Sequence, residues 1–266
     1  MKKTIVFIHG MFQNPKSWEK WIAYFNEKGY DCIAPDWPMH EGLPADLQNN
    51  PPVGLGNLHL QTIIDEMERA VTSLPEKAIL IGHSVGGLIV QLLIQKGLAV
   101  RGVLINLVAP TAMLAFDWGF IKNSGLIANP FKGNEPFMLD LESFHGSFCN
   151  TMTMEQTRQA SGQTATHDSR NVLRDCMGEP GQIDMDLPHA PLLFIGGEED
   201  QIIPFELSRR NSEAYTDKVS MSEFKSFPNR GHWICGQQGW EEVASYINEW
   251  LQPHAEHEYR TSLTIS

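Results

Sequence analysis

The sequence predicts an α/β fold in which a mostly parallel, doubly wound sheet is flanked by helices. Short, continuous apolar runs, typical of strands buried on both faces, alternate with stretches of helical periodicity. Such alternation indicates strand–helix–strand units and therefore a parallel sheet with helices on both sides. At 266 residues the chain is long enough for one large α/β domain, or for a domain with an inserted lid.

Strands and helices alternate regularly in the first 110 residues. After the first strand, four large apolar residues recur with helical spacing between Trp18 and Phe25. Ser17 is expected to cap this helix and Gly29 to end it. The predicted strands of this part span residues 4–8, 31–34, 78–81 and 102–108, and the helices lie within residues 18–28, 60–74 and 85–96.

The alternation stops after Pro110 and resumes at Pro191. The stretch between them is rich in Met and Phe and is a candidate lid. We expect two short helices in it, one opening with a capping box at Thr153–Gln156 and one near Asp168. Later strands are predicted at residues 191–195 and 222–227, with helices at 205–215 and 243–251. The predicted division is an α/β core at 1–110 and 188–252, a cap at 111–187, and a loose polar tail at 253–266.

Charge and composition exclude several classes of partner. The net charge of −12 and the absence of long basic runs argue against binding to nucleic acid or to anionic membranes. No apolar stretch approaches the length of a membrane span, and the run after Met1-Lys2-Lys3 is too short for a secretory signal, so we expect a cytoplasmic protein. The four cysteines are widely spaced, which favours reduced thiols. The oligomeric state stays open.

The stretch Gly82-His83-Ser84-Val85-Gly86 is the most informative of the chain. It lies between a predicted strand and a predicted helix, the context in which a Gly-x-Ser-x-Gly turn presents a serine as a nucleophile. The glycines let neighbouring segments crowd this strained turn. Ser84 is therefore the candidate nucleophile.

A serine nucleophile needs a base, and the base needs a carboxylate to orient it. His232 is the best candidate base because it lies in a loop just after a predicted strand, near the end of the chain. Asp200 is the preferred acid, since it ends a loop that continues into apolar residues able to hold it rigidly. Glu198 and Glu199 are competitors for that role.

Backbone N–H groups aimed at a developing oxyanion would complete the site. Val85 is one expected donor, because it follows Ser84 at the positive end of a helix. Met11 is the other, because Gly10 lets the loop after the first strand approach closely. His9 and His83 are interpreted as structural. No histidine spacing indicates a metal site, and no cofactor is expected.

In their order and spacing, these residues resemble the α/β-hydrolase superfamily. The resemblance rests on His9-Gly10, Ala34-Pro35-Asp36, Gly82 to Gly87, Asp200 with Ile203-Pro204, and Gly231-His232. It implies a Ser–Asp–His triad and a cap, inserted between core strands, that shapes the substrate pocket. Ser84 argues against the branches that attack with an aspartate, and His9-Gly10-Met11 differs from the His-Gly-Gly-Gly loop of one lipase and esterase group.

The leading functional hypothesis is a serine hydrolase of small carboxylic esters, with an apolar ester as its small-molecule substrate and an acyl-enzyme intermediate. A carbon–carbon bond hydrolase or a hydroxynitrile-lyase-like enzyme on the same triad is the first alternative. The second is a ligand-binding homologue without catalysis. The natural substrate and its stereochemistry stay open.

Overall fold

A computed structural model of the protein describes residues 2–114, 127, 129–217 and 219–252. Residues 115–126 and 128 of the predicted cap, and the predicted tail at 253–266, lie outside the described residues. The strands are β1 Thr4–Ile8, β2 Asp31–Ile33, β3 Ala78–His83, β4 Ala99–Ile105, β5 Leu192–Gly197 and β6 Ser222–Phe227. The helices are α1 Glu19–Glu27, α2 Pro44–Asn49, α3 Leu60–Thr72, α4 Val85–Gln95, α5 Thr111–Leu114, α6 Leu141–Ser147, α7 Met154–Thr164, α8 Arg170–Cys176, α9 Phe205–Ala214 and α10 Trp240–Leu251.

The described strands form one sheet in the order β2-β1-β3-β4-β5-β6, and each neighbouring pair is parallel. This confirms the predicted doubly wound α/β architecture. The strand order reverses direction between β1 and β3, and in such sheets ligands bind outside the carboxyl ends of the strands at this switch point. The loop after β1 and the turn after β3 both lie there.

Helices cover both faces of the sheet, and the strand residues alternate between two apolar clusters. Val6 and Ile8 of β1 pack in the cluster that contains residues of α3, α4 and α9. Ile5 and Phe7 pack in the other cluster, with Trp21 of α1 and residues of α10. Because both faces are buried, the central strands are continuous apolar runs, as the sequence suggests.

Two of the predicted boundaries that differ from the structure have an identifiable cause. Ser17 does not cap α1: a short 3₁₀ helix, Pro15–Trp18, precedes it, and the Asn14 side chain caps that turn by accepting the Lys16 N–H at 3.0 Å. The strand predicted at 102–108 begins and ends earlier, as β4. It stops because Asn106 adopts a φ of 43°, which cannot continue a strand.

Between β4 and β5 the described residues form helices α5 to α8, more than the two expected. The capping box at Thr153 is present at the start of α7, where the Thr153 side chain and Gln156 bond reciprocally. Ser169, and not Asp168, caps α8, since its side chain accepts the Asn171 N–H at 3.2 Å. Asp168 pairs instead with Phe137 in an isolated antiparallel bridge. The boundaries of a separate cap at 111–187 stay a prediction.

No helix in the described ranges combines the length and the apolar character that crossing a bilayer requires.

Trp21→Phe is expected to destabilise the protein by about 1–3 kcal/mol more than Trp18→Phe, the matched control. The buried Trp21 Nε1 donates to the Cys235 carbonyl at 2.7 Å, so its loss leaves a buried acceptor unpaired. Trp18 lies 5.4 Å from Trp21 between ring centroids and is equally buried, but its Nε1 bonds to no described residue. Urea unfolding of both variants measures the difference, and a larger loss for Trp18→Phe would contradict it.

Candidate active site

Ser84 occupies the turn between β3 and α4 in an unusual backbone conformation. Its φ is 56°, in the left-handed region that residues with a side chain rarely adopt. The Ser84 N–H donates to the Ile105 carbonyl at 3.0 Å, and the Ser84 carbonyl accepts the Val108 N–H at 3.1 Å. Strain of about 1–3 kcal/mol persists only where the surroundings fix it, and it clusters at functional sites.

Two glycines make room for this turn. A Cβ at Gly10 would lie 2.7 Å from the Ser84 Cβ and 2.9 Å from the His83 carbonyl oxygen, and one at Gly86 would lie 2.2 Å from the Ile8 carbonyl oxygen. These distances are shorter than van der Waals contact. Only glycine therefore lets the β1 loop and the start of α4 meet around Ser84.

His232 and Asp200 form a buried pair beside the turn. His232 Nδ1 lies 2.7 Å from Asp200 Oδ2, and both side chains are almost fully shielded from solvent. Asp200 Oδ1 accepts the backbone N–H groups of Ile202 at 2.8 Å and Ile203 at 2.9 Å. The carboxylate is therefore held rigidly, and its bond to Nδ1 places the imidazole proton on that nitrogen and leaves Nε2 as an acceptor.

The geometry separates Asp200 from its two acidic neighbours. Glu198 is exposed and its Oε1 accepts the Ser226 hydroxyl at 2.8 Å. Glu199 is also exposed. Asp200 is the acidic residue of this loop that contacts His232.

His9 and His83 are buried and hydrogen-bond to the backbone of the site loops. His83 Nε2 donates to the His232 carbonyl at 2.8 Å, and His9 Nδ1 donates to the Gly10 carbonyl at 2.9 Å. Burial, with His40 nearby, lowers the pKa of His9 to about 3. Burial, with His232 nearby, holds the pKa of His83 well below its usual value. Both imidazoles are neutral and stabilise the loops as donors.

Asn106 also holds the histidine loop, and the sequence analysis missed it. Its Nδ2 donates to the carbonyls of Gly231 at 3.0 Å and His232 at 3.2 Å, while its Oδ1 accepts the Gly197 N–H at 2.7 Å. It thus joins the ends of β4 and β5 to the loop that carries His232. The available signal was a single polar residue inside the apolar run 104–108.

A narrow cavity opens beside Ser84 and His232. Its other lining side chains, among the described residues, are all apolar: Met11, Phe12, Val85, Val108, Ile127, Phe148, Leu173 and Ile202. Four of these, Val108, Ile127, Phe148 and Leu173, come from the stretch between β4 and β5. The Phe148 ring meets the His232 ring edge to face, with centroids 4.8 Å apart. The cavity therefore suits an apolar group held against two polar ones.

Ser84 and His232 face this cavity without a hydrogen bond between them. His232 Nε2 is buried and bonds to no described residue, and Ser84 is 6% exposed. In enzymes without bound substrate, catalytic hydrogen bonds are often long and shorten when the substrate binds. The arrangement leaves Nε2 available to accept a proton from the serine hydroxyl.

Met11 and Val85 line the same cavity as Ser84. Neither backbone N–H donates to a described residue. Val85 is the first residue of α4, where the helix dipole favours negative charge. The described residues contain no group of three or more His, Cys, Asp or Glu side chains arranged to hold a metal ion.

The sequence matches the model of the alpha/beta hydrolase family over residues 5–246. The chain therefore belongs to this family, which confirms the resemblance found in the sequence. A comparison with curated protein sequences finds no match.

Solved structures share this fold at low sequence identity. A pyrethroid hydrolase from Sphingobium faniae JZ-2 is 18% identical, with a TM-score of 0.71 over 96% of this chain and 100% of that chain. A mutant of polyneuridine aldehyde esterase is 16% identical, with a TM-score of 0.70 over 95% and 100%. Tomato methylketone synthase I complexed with 2-tridecanone is 16% identical, with a TM-score of 0.68 over 94% and 97%. At these identities the likeness shows the fold alone.

Gly10→Ala is expected to destabilise the protein by about 1–3 kcal/mol, because the added Cβ collides with Ser84 and the His83 backbone. Gly162→Ala is the control: it lies in α7, where a Cβ would meet nothing within 4 Å. That change is expected to stabilise by roughly 0.5–1 kcal/mol, since alanine favours helix. Urea unfolding compares the two, and equal stabilities would argue against the close approach at Ser84.

Proposed function

We propose that the protein is a serine hydrolase that cleaves small carboxylic esters through an acyl-enzyme intermediate. The observation that carries the proposal is the juxtaposition of a strained, cavity-facing Ser84 with a buried His232 whose Nδ1 is bonded to Asp200 at 2.7 Å. Such a constellation supplies the nucleophile, base and orienting acid of acyl transfer.

In the first half of the reaction, Ser84 Oγ attacks the ester carbonyl carbon and His232 Nε2 takes the hydroxyl proton. The negative charge on the carbonyl oxygen is stabilised by the N–H groups of Met11 and Val85. Asp200 stabilises the imidazolium through its bond to Nδ1. The tetrahedral intermediate then expels the alcohol, which takes the proton from Nε2 and leaves an acyl group on Ser84.

In the second half, a water molecule attacks the acyl carbon while Nε2 accepts its proton. Collapse of the second intermediate releases the acid and returns the proton to Ser84 Oγ. The apolar wall of the cavity favours an uncharged, apolar acyl or aryl group, because a charged group would be desolvated there without a described polar partner.

One alternative on the same triad is carbon–carbon bond cleavage or lyase chemistry. This alternative is retained because the fold is similar to that of a methylketone synthase complexed with 2-tridecanone, and that ligand is an apolar ketone and not an ester. A panel of chromogenic esters, β-keto acids and cyanohydrins distinguishes the two. Turnover of esters alone supports the proposal, and turnover of the other substrates without ester cleavage contradicts it.

Ser84→Ala is expected to lower kcat/KM for a short-chain chromogenic ester by about 10³-fold or more, because the nucleophile is lost. The variant should fold normally, since the Ser84 backbone makes the contacts that hold the turn. Ser226→Ala, which removes a hydroxyl bonded to exposed Glu198, is the control and should leave the rate unchanged. Full activity in folded Ser84→Ala would end the proposal.

Asp200→Asn is expected to lower kcat by about 10²–10⁴-fold with little change in stability, because the amide favours the wrong imidazole tautomer. Glu199→Gln is the matched control: it neutralises the neighbouring exposed carboxylate and should leave kcat unchanged. Steady-state kinetics on the same ester measures both. Comparable losses of kcat in the two variants would contradict the assignment of Asp200 as the carboxylate that orients His232.

A further inference from the structure

The residue after Met11 is held in a strained conformation that the proposed reaction does not itself explain. Phe12 has a φ of 62° and is almost completely buried. A bulky aromatic residue in this region is a genuine outlier. Such a residue costs about 1–3 kcal/mol and persists only where the surroundings determine its conformation.

Both backbone polar groups of Phe12 are bonded to the stretch between α7 and α8. The Phe12 N–H donates to Asp168 Oδ2 at 3.0 Å. The Phe12 carbonyl accepts the Thr166 N–H at 3.0 Å, and the Thr166 hydroxyl donates to the next carbonyl, that of Gln13, at 3.3 Å. A segment more than 150 residues further along the chain thus fixes the loop after β1.

The Asp168 carboxylate has little freedom of its own. It is fully buried, its Oδ1 accepts the Ser169 N–H at 2.7 Å, and its backbone pairs with that of Phe137 at 2.8 and 2.9 Å. A buried carboxylate that accepts several N–H groups is a rigid anchor, because moving it would leave a desolvated charge unpaired.

A buried histidine, His40, lies beside the Asp168 carboxylate. Its Nε2 lies 3.6 Å from Asp168 Oδ2, and its Nδ1 donates to the Pro38 carbonyl at 3.1 Å. Burial alone would lower the pKa of His40, but the nearby Asp168 carboxylate, together with the hydrogen bond to the Pro38 carbonyl, raises it above its usual value. His40 and Asp168 are therefore buried neighbours behind the loop.

We propose that Asp168 is a positioning residue that sets the orientation of the Met11 N–H by anchoring the Phe12 N–H. The Met11–Phe12 peptide plane is fixed by Asp168, and on the other side Gly10 packs against Ser84, so Met11 is constrained from both ends. The inference rests on the proposed function only in taking Met11 as an oxyanion donor. Its consequence is that docking of the segment around Asp168 determines how well the site stabilises an oxyanion.

Asp175 provides a matched control. It lies on α8, and its Oδ2 accepts the Leu60 backbone N–H at 3.0 Å and lies 2.9 Å from Nδ1 of the exposed His59. Like Asp168, Asp175 thus accepts a backbone N–H and lies near a histidine, but it is partly exposed and does not touch the loop after β1. Asp175→Ala therefore loosens the same stretch of chain from the core without touching Phe12.

The experiment measures the rate at which a fluorophosphonate probe labels Ser84 in wild type, Asp168→Ala, Asp168→Asn, Asp175→Ala and Asp175→Asn. The phosphoryl oxygen of the probe develops negative charge, so the maximal rate reports oxyanion stabilisation while the concentration dependence reports ground-state binding. Circular dichroism and thermal unfolding establish that each variant is folded. Ester turnover by the wild type is measured separately.

We expect Asp168→Ala to lower the maximal labelling rate by about 10²-fold, near the loss of one oxyanion donor, with unchanged half-saturating probe concentration. Asp168→Asn should lose less, about 10-fold, because its single amide oxygen can still accept the Phe12 N–H, but less strongly than a carboxylate does. Both Asp175 variants should label at the wild-type rate.

Equal maximal labelling rates in the Asp168 and Asp175 variants would overturn the inference. A higher half-saturating probe concentration with an unchanged maximal rate in the Asp168 variants would also overturn it. If Asp168→Ala does not fold, the comparison of Asp168→Asn with Asp175→Asn decides in the same way. A wild type that is labelled but cleaves no ester contradicts the proposed ester chemistry and leaves this comparison decisive. A wild type that resists the probe overturns both.

Discussion

The site depends on the constraint that holds Ser84 in a left-handed backbone conformation at the end of β3. Hydrogen bonds to Ile105 at the end of β4 and to Val108 just after it fix both backbone groups of Ser84. Glycines at positions 10 and 86 allow the neighbouring chain to approach closely. The hydroxyl therefore lies at the switch point of the parallel sheet, between β1 and β3, where the strand order changes direction. The apolar cavity and the candidate residues Met11, Val85 and His232 all lie beside Ser84.

The loop that carries His232 depends on a second set of buried polar contacts. Asp200 orients the imidazole ring, while His83 and Asn106 hold the backbone behind it. His83 and Asn106 act as neutral donors. Asp200 therefore supplies the negative charge of this group of residues, and it is directed at Nδ1 of His232. That charge stabilises an imidazolium as it forms, which is the electrostatic requirement of a serine nucleophile paired with histidine.

The sequence was sufficient to predict the fold class and to nominate the three residues of the candidate triad, because local sequence patterns indicate both. The glycines around Ser84, the apolar runs of the strands and the positions of Asp200 and His232 after strands are all visible in one dimension. Asn106 was included in the strand predicted at 102–108. The length of an apolar run does not reveal that a residue with a positive φ ends the strand there.

Asp168 and Phe12 could not have been paired from the sequence. Their contact joins segments 156 positions apart, and neither residue lies in a motif. A helix does begin near Asp168, as predicted, with Ser169 as its cap, but the burial of the Asp168 side chain was not foreseen. Tertiary contacts of this kind determine which polar residue is buried, and local secondary-structure propensity does not predict them.

Mass-spectrometric peptide mapping after fluorophosphonate treatment tests most directly whether His232 makes the Ser84 oxygen reactive. The account predicts a single adduct on Ser84 in the wild type. In a folded His232→Ala variant the adduct should form at least about 10²-fold more slowly, because the general base is lost. An adduct on another residue, or labelling of Ser84 that does not depend on His232, would contradict the account.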